Sequence, residues 1–93
     1  MSKIYLAGKI TGDPEYREKF LKAAAKLEAE GHRVLNPAAL PEGLCAWDYM
    51  SICLPMLLQA DEIALLPDWT QSKGADIELQ VANYCGIAVR YLE

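Results

Sequence analysis

The sequence is poor in the residues that build metal centres. It has a single histidine, His32, and three cysteines, at 45, 53 and 85, with no Cys-x-x-Cys pair among them. Zinc sites draw on about four Cys or His ligands at close spacing, so no metal site is expected. An odd set of unpaired thiols reads instead as the reduced cysteines of a cytosolic protein, serving as small buried fillers. Positive charge is also scarce: nine Lys and Arg against thirteen Asp and Glu leave a formal net charge of −4. That balance disfavours a nucleic-acid polymer as partner but admits a mononucleotide. No apolar run approaches the roughly 20 residues of a membrane span. The opening MSKIYLAG lacks the apolar core and cleavage site of a signal peptide, so a cytoplasmic location without membrane association is expected. Repeats, linkers and low-complexity stretches are missing too, and nothing in the sequence asks for a cofactor.

What is present is a globular composition, 53% hydrophobic and 24% charged over 93 residues, which predicts one domain spanning 1–93. Turn residues divide it into alternating short strands and helices. Lys3 to Ala7 is a first strand, stopped by the loop Gly8 to Pro14. Tyr16 to Glu30 has helical periodicity, with Tyr16, Phe20, Ala23, Ala24 and Leu27 on one face, and Gly31 ends it. A second strand covers Arg33 to Asn36. A second helix runs from Ala46 to Ala60, with a kink expected at Pro55. Glu62 to Leu66 is a third strand, Gly74 to Tyr84 a third helix, and Ile87 to Leu92 a fourth strand. Strict alternation of this kind predicts an α/β three-layer sandwich, flavodoxin- or Rossmann-like, with a four-stranded parallel sheet in the order 2-1-3-4. The first helix is expected on one face and the other two on the opposite face. Ligands bind such sheets where the winding reverses, at the carboxyl ends of strands 1 and 3. The loops Gly8 to Pro14 and Pro67 to Gly74 fall there.

Glu78 is the residue that a helical wheel does not explain. Asp76, Gln80 and Asn83 share a polar face, whereas Glu78 falls among Val81, Ala82 and Cys85, on the side turned to the sheet. It is either an early-turn carboxylate interacting with the helix dipole or a functional group at the crevice, and its place at the crevice mouth favours the second. Ser72-Lys73-Gly74 combines a hydroxyl, a cation and free N–H groups at a helix start. The combination is either an ordinary N-cap or an anion site. Gly8 and Gly12 read as turn glycines unless a ligand approaches the backbone there. Tyr5 reads as core. Asp48, Asp61 and Asp68 read as loop or strand-end carboxylates, and Trp47 and Trp69 as packing or as walls of a base pocket.

Three stretches, IYLAGKITG, the Ala60-Asp61 pair and PDWTQSKGADIELQVA, together resemble the nucleoside 2-deoxyribosyltransferase-like superfamily, and within it a short branch of bacterial and phage proteins. The resemblance covers nearly the whole chain. It implies cleavage at the N-glycosidic bond of 2′-deoxynucleosides or their 5′-monophosphates, with Glu78 as the nucleophile and Tyr5 orienting it. The 5′-monophosphate hydrolases of that superfamily have a first loop matched here by Gly8, Ile10 and Gly12. They also have a phosphate-contacting serine, matched by Ser72 next to Gly74. Two positions depart from the relatives: Cys53 stands where a carboxylate assists the departing base, and Thr11 where the hydrolases carry arginine.

The expectation is therefore an N-glycoside hydrolase or deoxyribosyltransferase, slow because of Cys53, whose partner is a small nucleoside or nucleotide. The alternatives are a nucleotide-binding module without turnover and an accessory interaction protein. On the second helix Tyr49, Ile52 and Met56 form one apolar cluster and Met50, Leu54, Leu57 and Leu58 another. That is more apolar surface than one sheet covers, and it predicts a homodimer through this helix, in line with the resemblance.

Overall fold

The computed structural model describes residues 2–93. Its elements are β1 (Lys3–Ala7), α1 (Tyr16–Ala29), β2 (Arg33–Leu35), α2 (Ala46–Leu58), β3 (Glu62–Leu65), α3 (Lys73–Cys85) and β4 (Ala88–Tyr91). The sheet is parallel throughout and ordered β2-β1-β3-β4, as the alternation predicts. Side chains alternate across each strand, so β1 and β3 feed two cores. Ile4, Leu6, Ala64 and Leu66 pack against Phe20, Ala24 and Leu27 of α1. Tyr5, Ala7, Ile63 and Leu65 pack against Cys53 and Leu57 of α2 and against Ala75, Leu79 and Ala82 of α3. One helix therefore covers one face and two helices the other.

Local chemistry accounts for the boundaries. Gly31 and Gly86 follow α1 and α3 with φ of 96° and 73°, the left-handed geometry in which side chains are strained. α3 begins at Lys73, one residue earlier than predicted, because the Ser72 hydroxyl accepts the Ala75 N–H at 3.1 Å. Asn36 is not a strand residue: its side chain accepts the Ala38 N–H at 2.9 Å and starts a 3₁₀ turn, Pro37–Ala39. A second 3₁₀ turn, Trp69–Gln71, lies in what the sequence shows only as loop. α2 runs through Pro55 and ends at Leu58, where the Ala60 N–H turns back to the Leu57 carbonyl at 2.9 Å.

The expectation of three buried thiols is corrected. Of the three cysteines only Cys53 is buried; Cys45 and Cys85 are exposed. Cys45 precedes α2 as its cap, with its N–H donating to the Asp48 carboxylate at 3.1 Å. Cys85 is the last residue of α3, one turn beyond Ala82, the final α3 residue of the buried core. Among the described residues no helix is long and apolar enough to cross a membrane.

Candidate active site

Tyr5 stands in the middle of β1 with its ring on the α2–α3 side, and Glu78 lies one turn into α3 facing the same layer. Glu78 is only 7% exposed and is the one buried charged residue among those described. The Tyr5 hydroxyl donates to Glu78 Oε2 at 2.7 Å, joining residues 73 apart in the chain. Burial penalises the Glu78 charge and pushes its pKa up from 4.5 to about 7, while the Tyr5 hydrogen bond pulls the other way. Burial, and then the Glu78 charge, raise Tyr5 well above the ordinary tyrosine range, so the phenol remains a donor. Cys53 completes the group. Burial raises its thiol, Tyr5 lowers it and the Glu78 charge raises it, with a net upward shift that keeps it neutral.

These three side chains line a cavity of about 420 Å³ at the carboxyl end of β1, within the ~300–1,000 Å³ range of small-molecule sites. Residues 8–11 form one wall and residues 71–75 another, with Ala46, Tyr49 and Met50 of α2 closing a third side. Lys9 and Lys73 both line it, and among the described residues neither takes part in an ion pair.

Six of the seven residues singled out from the sequence line this cavity: Tyr5, Gly8, Ile10, Ser72, Gly74 and Glu78. Gly12 does not. It is exposed in the turn at φ 83°, and a Cβ there would meet only Lys9 Cε, at 3.9 Å. Gly8 is needed for packing: a Cβ would lie 2.7 Å from Leu66 Cδ1 and 2.9 Å from Leu66 Cβ. At Gly74 a Cβ would make only ordinary contacts, 3.8 Å from Ser72 Oγ and 3.9 Å from Met50 Cε. Neither tryptophan walls the cavity. Trp47 is 76% exposed on α2, and Trp69 packs on the core with its ring 6.2 Å from that of Tyr91. The three aspartates also stay outside it. Asp61 accepts the Lys3 N–H at 2.9 Å, Asp48 caps α2, and Asp68 is bonded to Lys19.

The model of a family described as a domain of unknown function, DUF4406, matches residues 2–91, nearly the entire chain. The chain belongs to that family. A search of curated proteins returns no match. In this DUF4406 domain, the cavity has contributors that the sequence does not flag. Pro37 comes from the turn after β2, Tyr49 and Met50 come from α2, where the sequence assigns them to the apolar surface of a dimer, and Ile77 comes from an apolar position of α3. Pro37 alone had a signal, since it follows a strand next to the point where the winding reverses. Chemically, a carboxyl poised near neutrality in a cavity can act as an anion toward a cationic centre or as a proton donor, depending on pH. Among the described residues no group of three or more His, Cys, Asp or Glu stands close enough to hold a metal ion.

Proposed function

We propose that the protein cleaves or transfers at the N-glycosidic bond of 2′-deoxynucleosides or their 5′-monophosphates, with Glu78 as nucleophile. The observation that carries this reading is the buried Tyr5–Glu78 hydrogen bond in a cavity at the carboxyl end of β1. The Glu78 anion attacks C1′ as the base leaves, forming a glycosyl ester; water or a second base then resolves it with net retention. Tyr5 fixes the carboxylate by its Oε2, leaving the other oxygen to attack. Ser72, Lys73 and the start of α3 favour an anionic 5′-group. Cys53 makes the departure of the base slow, because a neutral, raised thiol is a poor proton donor.

Release of free base from a panel of 2′-deoxynucleosides and 5′-monophosphates, followed by chromatography, tests the reading. Glu78→Gln abolishes release while nucleotide binding persists. Undiminished release by that variant refutes the nucleophile. Cys53 also favours a second reading, a nucleotide-binding module; binding without release by the natural protein selects it. Neither binding nor release selects an accessory interaction protein.

The same reading includes a homodimer through α2. Of the α2 residues expected to seek a partner, Leu57 is fully buried, while Ile52 and Leu58 are exposed. Trp47 joins Leu58 along α2, and Ile77 and the 93%-exposed Tyr84 lie along α3, which packs beside it. A monomeric mass by light scattering at micromolar concentration refutes the dimer.

A further inference from the structure

The loop from Gly8 to Glu15 has no regular secondary structure except turns, yet its first four residues wall the cavity. What orders it comes from the other face of the sheet. Lys19 belongs to α1, which packs on the side away from the cavity, and does not line the cavity itself. Its side chain is 24% exposed, and its ammonium donates to the Lys9 carbonyl at 3.0 Å, to Asp13 Oδ2 at 2.6 Å and to Asp68 Oδ2. Burial works against the charge, and the bonds to Asp13 and Asp68 outweigh it, holding the ammonium above its usual range. Asp68 in turn accepts the Lys9 N–H through Oδ1 at 3.1 Å. Both backbone polar groups of Lys9 are thereby held by one Lys19–Asp68 unit. The Asp13 N–H closes the turn on the Ile10 carbonyl at 3.2 Å, so the second carboxylate bound by Lys19 anchors the far end of the same wall.

The groove between α1 and β4 carries several cations, but Lys22 and Arg90 are bonded to acids and Lys19 faces the loop. The Lys19 unit links an α1 residue to the cavity wall through the Lys9 carbonyl, Asp13 and Asp68.

We propose that Lys19 is the positioning residue of the cavity's first loop, setting nucleotide affinity through Asp13, Asp68 and the Lys9 backbone without touching the ligand. The ligand's class rests on the function proposed above; the loop's dependence on Lys19 does not. Removing the ammonium leaves the Asp13 and Asp68 carboxylates facing each other without a shared cation, so the loop loses two bonds directly, its support at Asp68 loses a third, and a repulsion is gained.

The test compares the natural protein with Lys19→Met, which keeps the stem, and Lys19→Arg, which keeps the charge. Amide hydrogen exchange reads the loop without any ligand. In Lys19→Met the Lys9 and Asp13 amides exchange about tenfold faster or more, while the Tyr5 and Ile63 amides of the central strands change less than about twofold. Binding of the four 2′-deoxynucleoside 5′-monophosphates weakens by about tenfold, and any base-release rate at saturating nucleotide stays within about twofold. Lys19→Arg restores loop exchange and binding. Unchanged Lys9 and Asp13 exchange in Lys19→Met overturns the proposal. So does an equal acceleration in the central strands, which would mark a general loss of stability, and so does a loosened loop with undiminished affinity. If the natural protein binds neither the four nucleotides nor the corresponding 2′-deoxynucleosides, the proposed function fails, and the exchange measurement still decides whether Lys19 positions the loop.

Discussion

Replacing Glu78 by glutamine should make the protein more stable, by an amount that grows with pH. The carboxyl is 7% exposed, and burial raises its pKa from 4.5 to about 7. It therefore holds its proton more tightly folded than unfolded. Stability is unaffected by this group below about pH 4.5, falls as pH rises from there, and levels off above about pH 7. At about 1.36 kcal/mol per pH unit the full cost of the ionised group is about 3 kcal/mol. Glutamine keeps the shape and can still accept the Tyr5 hydroxyl, but it carries no charge to desolvate. The variant's advantage is thus less than about 1 kcal/mol at pH 5 and about 3 kcal/mol at pH 8. For a domain of this size that corresponds to a Tm gain of roughly 12–24 °C at pH 8. Groups common to both proteins cancel in the difference. Tyr5 and Cys53, which are coupled to Glu78, are both shifted upward and stay neutral across this window. Urea unfolding of the two proteins at pH 5, 6, 7 and 8 measures the effect. A difference that does not vary with pH, or a variant less stable than the natural protein at pH 8, would show that Glu78 is not a desolvated carboxyl.

Tyr5→Phe removes the hydrogen bond that holds the Glu78 pKa down. The carboxyl then titrates above 7, and the buried group left without a partner costs about 1–3 kcal/mol. A carbon-detected titration that moves downward contradicts this. Cys53→Asp should raise single-turnover base release at pH 6 by about 10²–10⁴. It should also lower stability at pH 8, because a second carboxylate is then desolvated beside Glu78; no gain in a folded variant that binds nucleotide removes Cys53 from the mechanism. Gly8→Ala forces a Cβ to 2.7 Å from Leu66 Cδ1, a conflict worth about 1–3 kcal/mol. Gly74→Ala meets nothing nearer than 3.8 Å and is close to neutral. Equal costs in thermal unfolding would refute the packing role of Gly8.

Much of this molecule is determined by its sequence alone, because the deciding forces are local. Glycine and proline stop the elements, the 3.6 and 2 periodicities assign their faces, and strict alternation dictates a parallel sheet whose crevice lies at the ends of β1 and β3. Glu78 was visible as a carboxylate on the wrong side of its helix for the same reason: a wheel needs only neighbouring residues. Its consequences were not local. Whether burial leaves that carboxyl ionised depends on β1 delivering Tyr5 to it from 73 residues away. A wheel could not show that the sheet-facing arc of α3 ends at Ala82 and leaves Cys85 in solvent. Periodicity likewise gives no sign that Gly8 is pressed against Leu66 while Gly12 faces open space. Lys19 and Asp68 are unremarkable charges in their own segments, and they become one unit only because β1 and β3 are adjacent and bring the loops after them together. The fold followed from patterns that repeat every few residues. The site depends on distances between residues far apart in the chain, which only the packed sheet decides.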